Sequence, residues 1–223
     1  VTHGHADHAR AGHNSVYASS ETLAIMQTRY GEDMAIHQHT VAMGETINFN
    51  DVKATFYPAG HILGSTQILI EYGGYRVVVS GDYKRRHDPT CPPFEVVPCD
   101  VLITEATFGL PVFKHPPIEH EIEKLLHSLR VFPERCHLVG AYALGKCQRV
   151  ILALREAGYA KPIYCQYYRS LSKRDCCRRL PPMHWKNTIY FLDWLKIDCR
   201  LFMIPKYMLC LMIYISNGVW RIL

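Results

Sequence analysis

The sequence lacks a hydrophobic segment that could cross a bilayer. Its apolar stretch YMLCLMIYI, residues 207–215, is far shorter than the roughly 20 residues that a membrane helix needs. A secretory signal is also missing, because the histidine-rich first residues form neither a charged n-region nor an apolar h-region. The nine cysteines form no compact, even framework of the kind found in disulfide-rich secreted domains. These absences predict a cytoplasmic protein with no membrane partner.

The main part of the chain also lacks an excess of positive charge. Residues 1–164 carry 15 Lys and Arg against 17 Asp and Glu, whereas residues 165–223 carry 10 against 3. The overall charge of +5 therefore comes from the last quarter. Composition alone does not make the main part a basic nucleic-acid binder.

Residues 165–223 have a composition of their own. They contain no alanine, no glutamate and one of the 14 glycines, but all three tryptophans. Segments such as SKRDCCRRLPPMHWKN follow neither the period of a helix nor that of a strand. We interpret this part as an anomalous tail, which a shifted reading frame, a mis-assembled gene end or disorder would explain. A divergent C-terminal extension is the alternative, and no function is assigned to the tail.

The patterns of residues 1–164 predict an α/β protein. A helix is expected over residues 19–31, capped by Ser19 or Ser20 and stopped by Gly31. Strands follow in ETINFN, VKATFYPA, TQILIEY and YRVVVSGD, the last two as a hairpin, and then a buried strand in CDVLITEA. Helices over residues 117–130 and in LGKCQRVILALREAGY then alternate with strands in CHLVGAY and KPIY. A strand meander followed by α/β alternation predicts a layered domain and a second lobe from about residue 107.

The chain opens on VTHGHADH, in which His3, His5, Asp7 and His8 are closely spaced. We expect a loop that leads into a helix over residues 6–13. Imidazole and carboxylate groups are the usual ligands of Zn²⁺ and similar ions. Alternate positions of an extended loop project the same way, so His3 and His5 can share one ion while Asp7 and His8 face a second. Surface histidines or a tag remnant are the alternative, although a tag would not interleave an aspartate.

Two further fragments complete this pattern. His61 lies in GHILGS after a predicted strand, and Asp82 lies in SGD at the end of another. Acidic and imidazole side chains in loops at strand ends are typical of ligand sites in α/β proteins. We therefore expect both to converge on the histidine cluster.

In this order, THGHADH, GHILGS and SGD resemble the ligand pattern of the metallo-β-lactamase fold. TEATFG, residues 104–109, resembles the acidic motif that opens the β-CASP lobe of nucleic-acid-processing members. The sequence from GDYKRRHDPTCPPF to AGYAKPIY is most similar to bacterial ligase-associated DNA exonucleases, relatives of mRNA 3′-end processing factors. The resemblance implies an αβ/βα sandwich truncated at both ends. Its core, residues 1–106, would lack an N-terminal strand, and residues 107–164 would form a partial β-CASP lobe.

The resemblance also implies two divalent metal ions, zinc or manganese. His3, His5 and His61 would hold the first, Asp7 and His8 the second, and Asp82 would bridge them. Asp7, Asp82 and Glu105 would be the catalytic acids, with Glu105 orienting a ligand histidine. Two histidines of the family pattern, one a late metal ligand and one a phosphate contact, have no match, because the surroundings of His184 differ.

The implied function is a metal-dependent exonuclease that acts on DNA ends in repair or ligation, with an ATP-dependent DNA ligase and a helicase as partners. Alternatives are an RNA-processing nuclease, a small-molecule hydrolase of the same fold, and an inactive fragment. The ligand set alone fits any of these hydrolyses.

Basic residues outside the ligand set are candidate phosphate contacts. Lys84, Arg85 and Arg86 follow Asp82, and Lys146 starts a predicted helix; solvated charge is the alternative for each. GAYALGKC, residues 140–147, approaches a P-loop. Cys147 stands where Ser or Thr would bind Mg²⁺, which argues against an NTPase.

Overall fold

The fold was analysed on a computed structural model. It describes residues 1–166, 188–193, 208–209, 213–216 and 219–222. The predicted anomalous tail, residues 165–223, lies mostly outside the described residues, and its origin stays a prediction. Among the described helices, none combines the length and hydropathy that a membrane span requires.

The chain divides into two compact units, Val1–Ala106 and Thr107–Leu223. Both units combine helices with β-sheets, so the α/β class is confirmed. The first unit contains β1 (His13–Ala18), α1 (Ser20–Tyr30), β2 (Ala35–Thr40), β3 (Thr46–Phe49), β4 (Val52–Pro58), β5 (Thr66–Tyr72), β6 (Tyr75–Val79) and β7 (Val101–Ile103).

Helix α1 forms where its capping residues predict it. The Ser19 hydroxyl accepts a hydrogen bond from the Thr22 N–H, and Gly31 ends the helix with a φ of 88°. The helix buries Leu23 and Met26 in a core that also holds residues of the parallel pair β1–β2. The predicted helix is therefore confirmed to within one residue at each end.

The larger sheet of the first unit has the order β3-β4-β5-β6-β7. Strands β3 to β6 form the predicted meander, and β5 and β6 form the predicted hairpin across Gly73 and Gly74. Strand β7 then joins β6 in parallel, with Val77 opposite Val101. Strands β4, β6 and β7 thus run in one direction and end at the same edge of the sheet.

Two expectations about this unit are wrong. Residues 6–13 form no helix; a turn follows His5, and β1 starts at His13. Gly12 has a φ of 93°, which an α-helix does not allow, and burial alternates from Val16 to Ala18 as in a strand. The segment CDVLITEA is also not a buried strand. Its only strand, β7, is the outermost strand of the sheet, and Val101, Leu102 and Ile103 are about half exposed.

The second unit contains α2 (Ile118–Val131), β8 (Cys136–Ala141), α3 (Lys146–Glu156), β9 (Ile163–Gln166), β10 (Thr188–Asp193), β11 (Met208–Leu209), β12 (Ile213–Ser216) and β13 (Val219–Ile222). A parallel sheet has the order β11-β8-β10-β9, and β12 and β13 form an antiparallel pair. Apolar faces of α2 and α3 pack on β8 around Leu125, Leu154 and Val139. The helices, β8 and the start of β9 confirm the predicted alternation.

A buried histidine makes the stability of this unit depend on pH. His137 in β8 is 0% exposed, and its Nε2 lies 2.9 Å from the Ser128 Oγ. Burial is the main cause that lowers the pKa of His137 below its usual value. Below about pH 6.5 the unfolded chain takes up a proton that the folded imidazole resists, so stability falls as the pH falls.

We expect His137→Phe to weaken this acid sensitivity. Between pH 7.5 and 5.5 the free energy of unfolding, measured by urea titration, should fall more in the parent chain than in the variant. The effect has a ceiling of about 1.4 kcal/mol per pH unit. His127→Phe is the control, because His127 is exposed on α2. Equal acid sensitivity in the His137 variant and the parent would contradict the assignment.

Candidate metal centre

The shared sheet edge brings together segments that are distant in sequence. His61 follows β4, Asp82 follows β6 and Glu105 follows β7. The start of β5 lies at the same edge, where the Thr66 N–H donates to the Thr2 carbonyl at 2.7 Å. This bond fixes the N-terminal histidine segment beside the strand ends.

A tight turn aims the N-terminal side chains. The N–H groups of His8 and Ala9 both donate to the His5 carbonyl, at 3.1 and 2.8 Å. Ala9 is fully buried in the core of the unit and anchors the turn. Gly4 lets the segment pass close to α1, since a Cβ there would lie 2.8 Å from the Ile25 Cγ2. The turn therefore depends on small residues between the histidines.

A hydroxyl fixes the loop that carries His61. The Ser65 Oγ accepts hydrogen bonds from the N–H groups of His61 and Ile62, at 3.0 and 3.1 Å. The next residue back, Gly64, accepts hydrogen bonds at its carbonyl from Ser19 and Thr22 at the start of α1. The loop is thus tied to the helix that packs beneath the histidine turn.

Four of the predicted ligands lie close together. One ligand atom from each of His3, His5, His61 and Asp82 falls within 4.8 Å of the other three. The His5 Nδ1 lies 3.1 Å from the His3 Nε2 and 3.2 Å from the His61 Nε2. The Asp82 Oδ2 lies 3.5 Å from the His61 Nε2 and 3.7 Å from the His3 Nε2. We call these four residues the inner cluster.

The other two predicted ligands lie on the solvent side of the inner cluster. The His8 Nε2 is 3.4 Å from the Asp82 Oδ1 and 3.6 Å from the Asp7 Oδ2. Asp7 is the outermost member, with 75% of its side chain exposed, and neither Asp7 nor His8 belongs to the four-residue group. We call Asp7 and His8 the outer pair. Asp82 faces the inner cluster with one oxygen and the outer pair with the other.

The donor set of the inner cluster fits a tetrahedral cation. Bonds of about 2.0–2.1 Å at tetrahedral angles put neighbouring ligand atoms roughly 3.3 Å apart, which the four distances bracket. The pKa of His3 is lowered to about 2. Burial is the largest cause, followed by the charges of His61, His8 and His5. His3 is therefore neutral, the form in which imidazole binds metals.

Glu105 is held near Asp82 through the backbone. Its N–H donates to the Ser80 Oγ at 3.3 Å, and Ser80 precedes Asp82 by two residues. Its expected role in orienting a ligand histidine stays a prediction.

The candidate phosphate contacts differ in their surroundings. Lys84 forms an ion pair with buried Asp88 at 2.5 Å, whereas Arg85 and Arg86 are exposed. Burial alone would raise the pKa of Asp88, but hydrogen bonds from Lys84 and Thr90 and the charge of Lys84 outweigh it and lower the pKa. Lys84 is thus engaged within the protein.

Lys146 lies in the second unit, where its ammonium is 4.6 Å from the centroid of the Tyr142 ring. Burial, then the charge of Arg149, lower its pKa. Cys147 beside it is buried, so this loop carries no exposed Mg²⁺ ligand at the Ser/Thr position of a P-loop.

The sequence interpretation missed the residues that position the ligands. GHILGS indicates His61 as a site residue but no role for Ser65, although a serine four residues after the histidine signals a hydroxyl-capped turn. Gly60 has a φ of 69°, and a Cβ there would overlap the Lys84 carbonyl oxygen and lie 2.9 Å from the Phe94 nitrogen. Its close approach depends on residues 24 to 34 positions later, which no local pattern reveals.

The chain is similar in sequence to several known proteins. No protein-family profile matches the chain. A probable DNA ligase from Opitutus terrae is 32% identical over 162 residues, 70% of this chain and 16% of that protein. Endoribonuclease YSH1 from Yarrowia lipolytica is 36% identical over 144 residues, 61% of this chain and 17% of that protein.

Cleavage and polyadenylation specificity factor 73 from Drosophila melanogaster is 34% identical over 143 residues, 58% of this chain and 21% of that protein. A solved protein of unknown function from Enterococcus faecalis V583 is 11% identical to this chain, with a TM-score of 0.46. The match covers 86% of this chain and 57% of that protein chain.

The homologues named YSH1 and cleavage and polyadenylation specificity factor 73 belong to the β-CASP group of the metallo-β-lactamase family, which confirms the resemblance seen in the motifs. The chain spans only 16–21% of the length of these curated relatives.

We expect Gly60→Ala to disturb both the fold and the centre. The substitution forces a positive φ on alanine and pushes a methyl group into the Lys84 backbone, which should cost about 1–3 kcal/mol of unfolding free energy and displace His61. Urea titration and zinc content per chain are the two measurements. Gly73→Ala is the control, because its φ is also positive, 56°, but a Cβ there meets nothing within 4 Å. Zinc content as high as in the control would show that Gly60 does not position His61.

Proposed function

We propose that this chain is the metal-binding part of a nuclease that hydrolyses phosphodiesters at a pair of divalent ions, most simply zinc. The observation that carries the proposal is the placement of the Asp82 oxygens, 3.5 Å from the inner His61 and 3.4 Å from the outer His8. A carboxylate shared between two ligand groups is the arrangement that two-metal hydrolysis needs. The finer fold assignment, a metallo-β-lactamase sandwich followed by part of a β-CASP lobe, belongs to the same proposal.

Each ligand would have a distinct part in the reaction. The imidazoles of His3, His5 and His61 would hold one ion, the outer pair would hold the second, and Asp82 would bridge them. When bound, such ions lower the pKa of a water molecule and neutralise charge on phosphate oxygens. The exposed Asp7 carboxylate would hold the proton that this water gives up. Glu105 would act as a positioning residue beside Ser80.

The preferred substrate within this proposal is a DNA end. The support is the motif resemblance to ligase-associated DNA exonucleases and the relative named as a probable DNA ligase. Repair or ligation, with a ligase and a helicase as partners, follows from the same resemblance. A second candidate is RNA cleavage, which the relatives named as endoribonucleases favour.

Metal content tests the bridging role of Asp82. We expect about two zinc ions per parent chain. Asp7→Asn should retain the inner ion only, because Asp7 belongs to the outer pair. Asp82→Ala should reduce occupancy of both sites, because both share its carboxylate. Asp51→Asn, an exposed acid in the turn between β3 and β4, is the control. Equal losses from the Asp7 and Asp82 variants would argue against a shared carboxylate.

The substrate class is tested with DNA and RNA oligonucleotides of the same sequence, each labelled at one end or the other. The proposal predicts zinc-dependent release of nucleotides from a DNA end, abolished by a chelator and by Asp82→Ala. Internal cuts in RNA alone would favour the second candidate. Hydrolysis of a lactam or thioester, with no cleavage of DNA or RNA, would indicate a small-molecule hydrolase. Less than one zinc per chain and no turnover would indicate an inactive fragment.

A further inference from the structure

The segment after Asp82 forms a short closed loop. The Lys84 ammonium and the Asp88 carboxylate form an ion pair at 2.5 Å, with Asp88 only 4% exposed. Thr90 reinforces it, since its N–H and hydroxyl both donate to the Asp88 Oδ1, at 3.1 and 2.6 Å. We call residues 84–88 the basic loop. Its two ends are fixed by a buried ion pair, whose interaction is stronger than that of an exposed pair.

The basic loop is attached to the segment that carries His61. The Lys84 N–H donates to the Ala59 carbonyl at 2.9 Å, and the Glu95 N–H donates to the Pro58 carbonyl at 3.2 Å. Gly60 packs directly beneath, since a Cβ there would overlap the Lys84 carbonyl oxygen. The loop therefore has a fixed place beside the centre within the first unit.

The side chains between the two ends of the loop are accessible to solvent. Arg85, Arg86 and His87 are all exposed. Arg85 follows Asp82 by three residues, so their Cα atoms lie within roughly 11 Å of each other. A guanidinium at this distance can reach a phosphate next to one held at the centre, and its planar donors suit phosphate oxygens.

We propose that the Lys84–Asp88 ion pair positions the basic loop so that Arg85 grips a backbone phosphate of the nucleic-acid substrate next to the scissile one. Lys84 is then a positioning residue, which replaces its earlier interpretation as a direct phosphate contact. The inference rests on the proposed nuclease function, because it names how that centre holds its substrate. It assigns binding to a loop of the first unit, whose overall composition is not basic.

The test is the salt dependence of binding, measured by fluorescence anisotropy. The probe is a fluorescein-labelled single-stranded DNA of about 20 nucleotides, in EDTA so that no cleavage occurs. Arg85→Ala should weaken binding several-fold and reduce the slope of log K against log[NaCl] by about 0.7. Lys53→Ala is the charge-matched control, since Lys53 is exposed near the opposite end of β4. Equal slopes for the two variants would overturn the proposal.

Two further variants separate positioning from simple charge. Thr90→Val changes no charge but removes the hydroxyl bond to Asp88, so it should weaken binding only if loop position matters. Asp88→Asn removes a negative charge and releases Lys84. Bulk electrostatics, or a direct Lys84–phosphate contact, predicts tighter binding, whereas loss of positioning predicts weaker binding. Tighter or unchanged binding in both would overturn the positioning role.

The outcomes also separate this inference from the nuclease proposal. Arg85-dependent binding without zinc-dependent cleavage would leave the loop assignment standing and reject the nuclease. Cleavage that is intact in Arg85→Ala, with parental binding, would reject the loop assignment alone. Thermal melting of each variant checks folding, and the exposed Arg85 keeps the test available if Asp88→Asn does not fold.

Discussion

The packing of imidazole rings around the Asp82 carboxylate is the constraint on which the centre depends. His3 is fully buried, and its ring centroid is 4.2 Å from that of His8 and 5.0 Å from that of His61. Burial and the charges of the neighbouring histidines lower the pKa of His3, which keeps its ring neutral. In the proposed function, a cation held by these rings would use their acceptor electrons and balance the carboxylate.

The scaffold holds this cluster by fixing the backbone of the segments that carry it. Thr2 is bound to the start of β5, Ser65 caps the His61 turn, and Gly81 lies against Thr2, where a Cβ would come within 2.8 Å of the Thr2 Cβ. The segments that carry His3, His61 and Asp82 are therefore in contact with one another. Such preorganisation reduces the cost of ordering the ligands when an ion binds.

The sequence predicted which side chains converge better than it predicted the fold around them. Histidines and acids at strand ends carry a recognisable spacing, so the convergence of His61 and Asp82 with the first residues could be foreseen. The exposure of β7 could not be foreseen, because the run VLIT looks the same whether the outer side of its strand is covered or open. The turn after His5 was mistaken for a helix because Ala and Gly as filler fit both. The role of Lys84 was missed for another reason: its partner Asp88 is an ordinary acid until the fold buries it.

Gly60 connects the two halves of the proposed site. Gly60 directly precedes His61 in the sequence, and in the structure it contacts the backbone of the basic loop at Lys84. A shift of the basic loop therefore displaces the segment that carries His61, and a shift of that segment displaces the loop. In the proposed site, this coupling would keep the phosphate bound by Arg85 at a constant distance from the ions. A constant distance is needed because catalysis depends on holding the phosphodiester in the geometry of attack. Within the proposed function, the absence of a side chain at Gly60 would set the distance between the metal ligands and the phosphate contact.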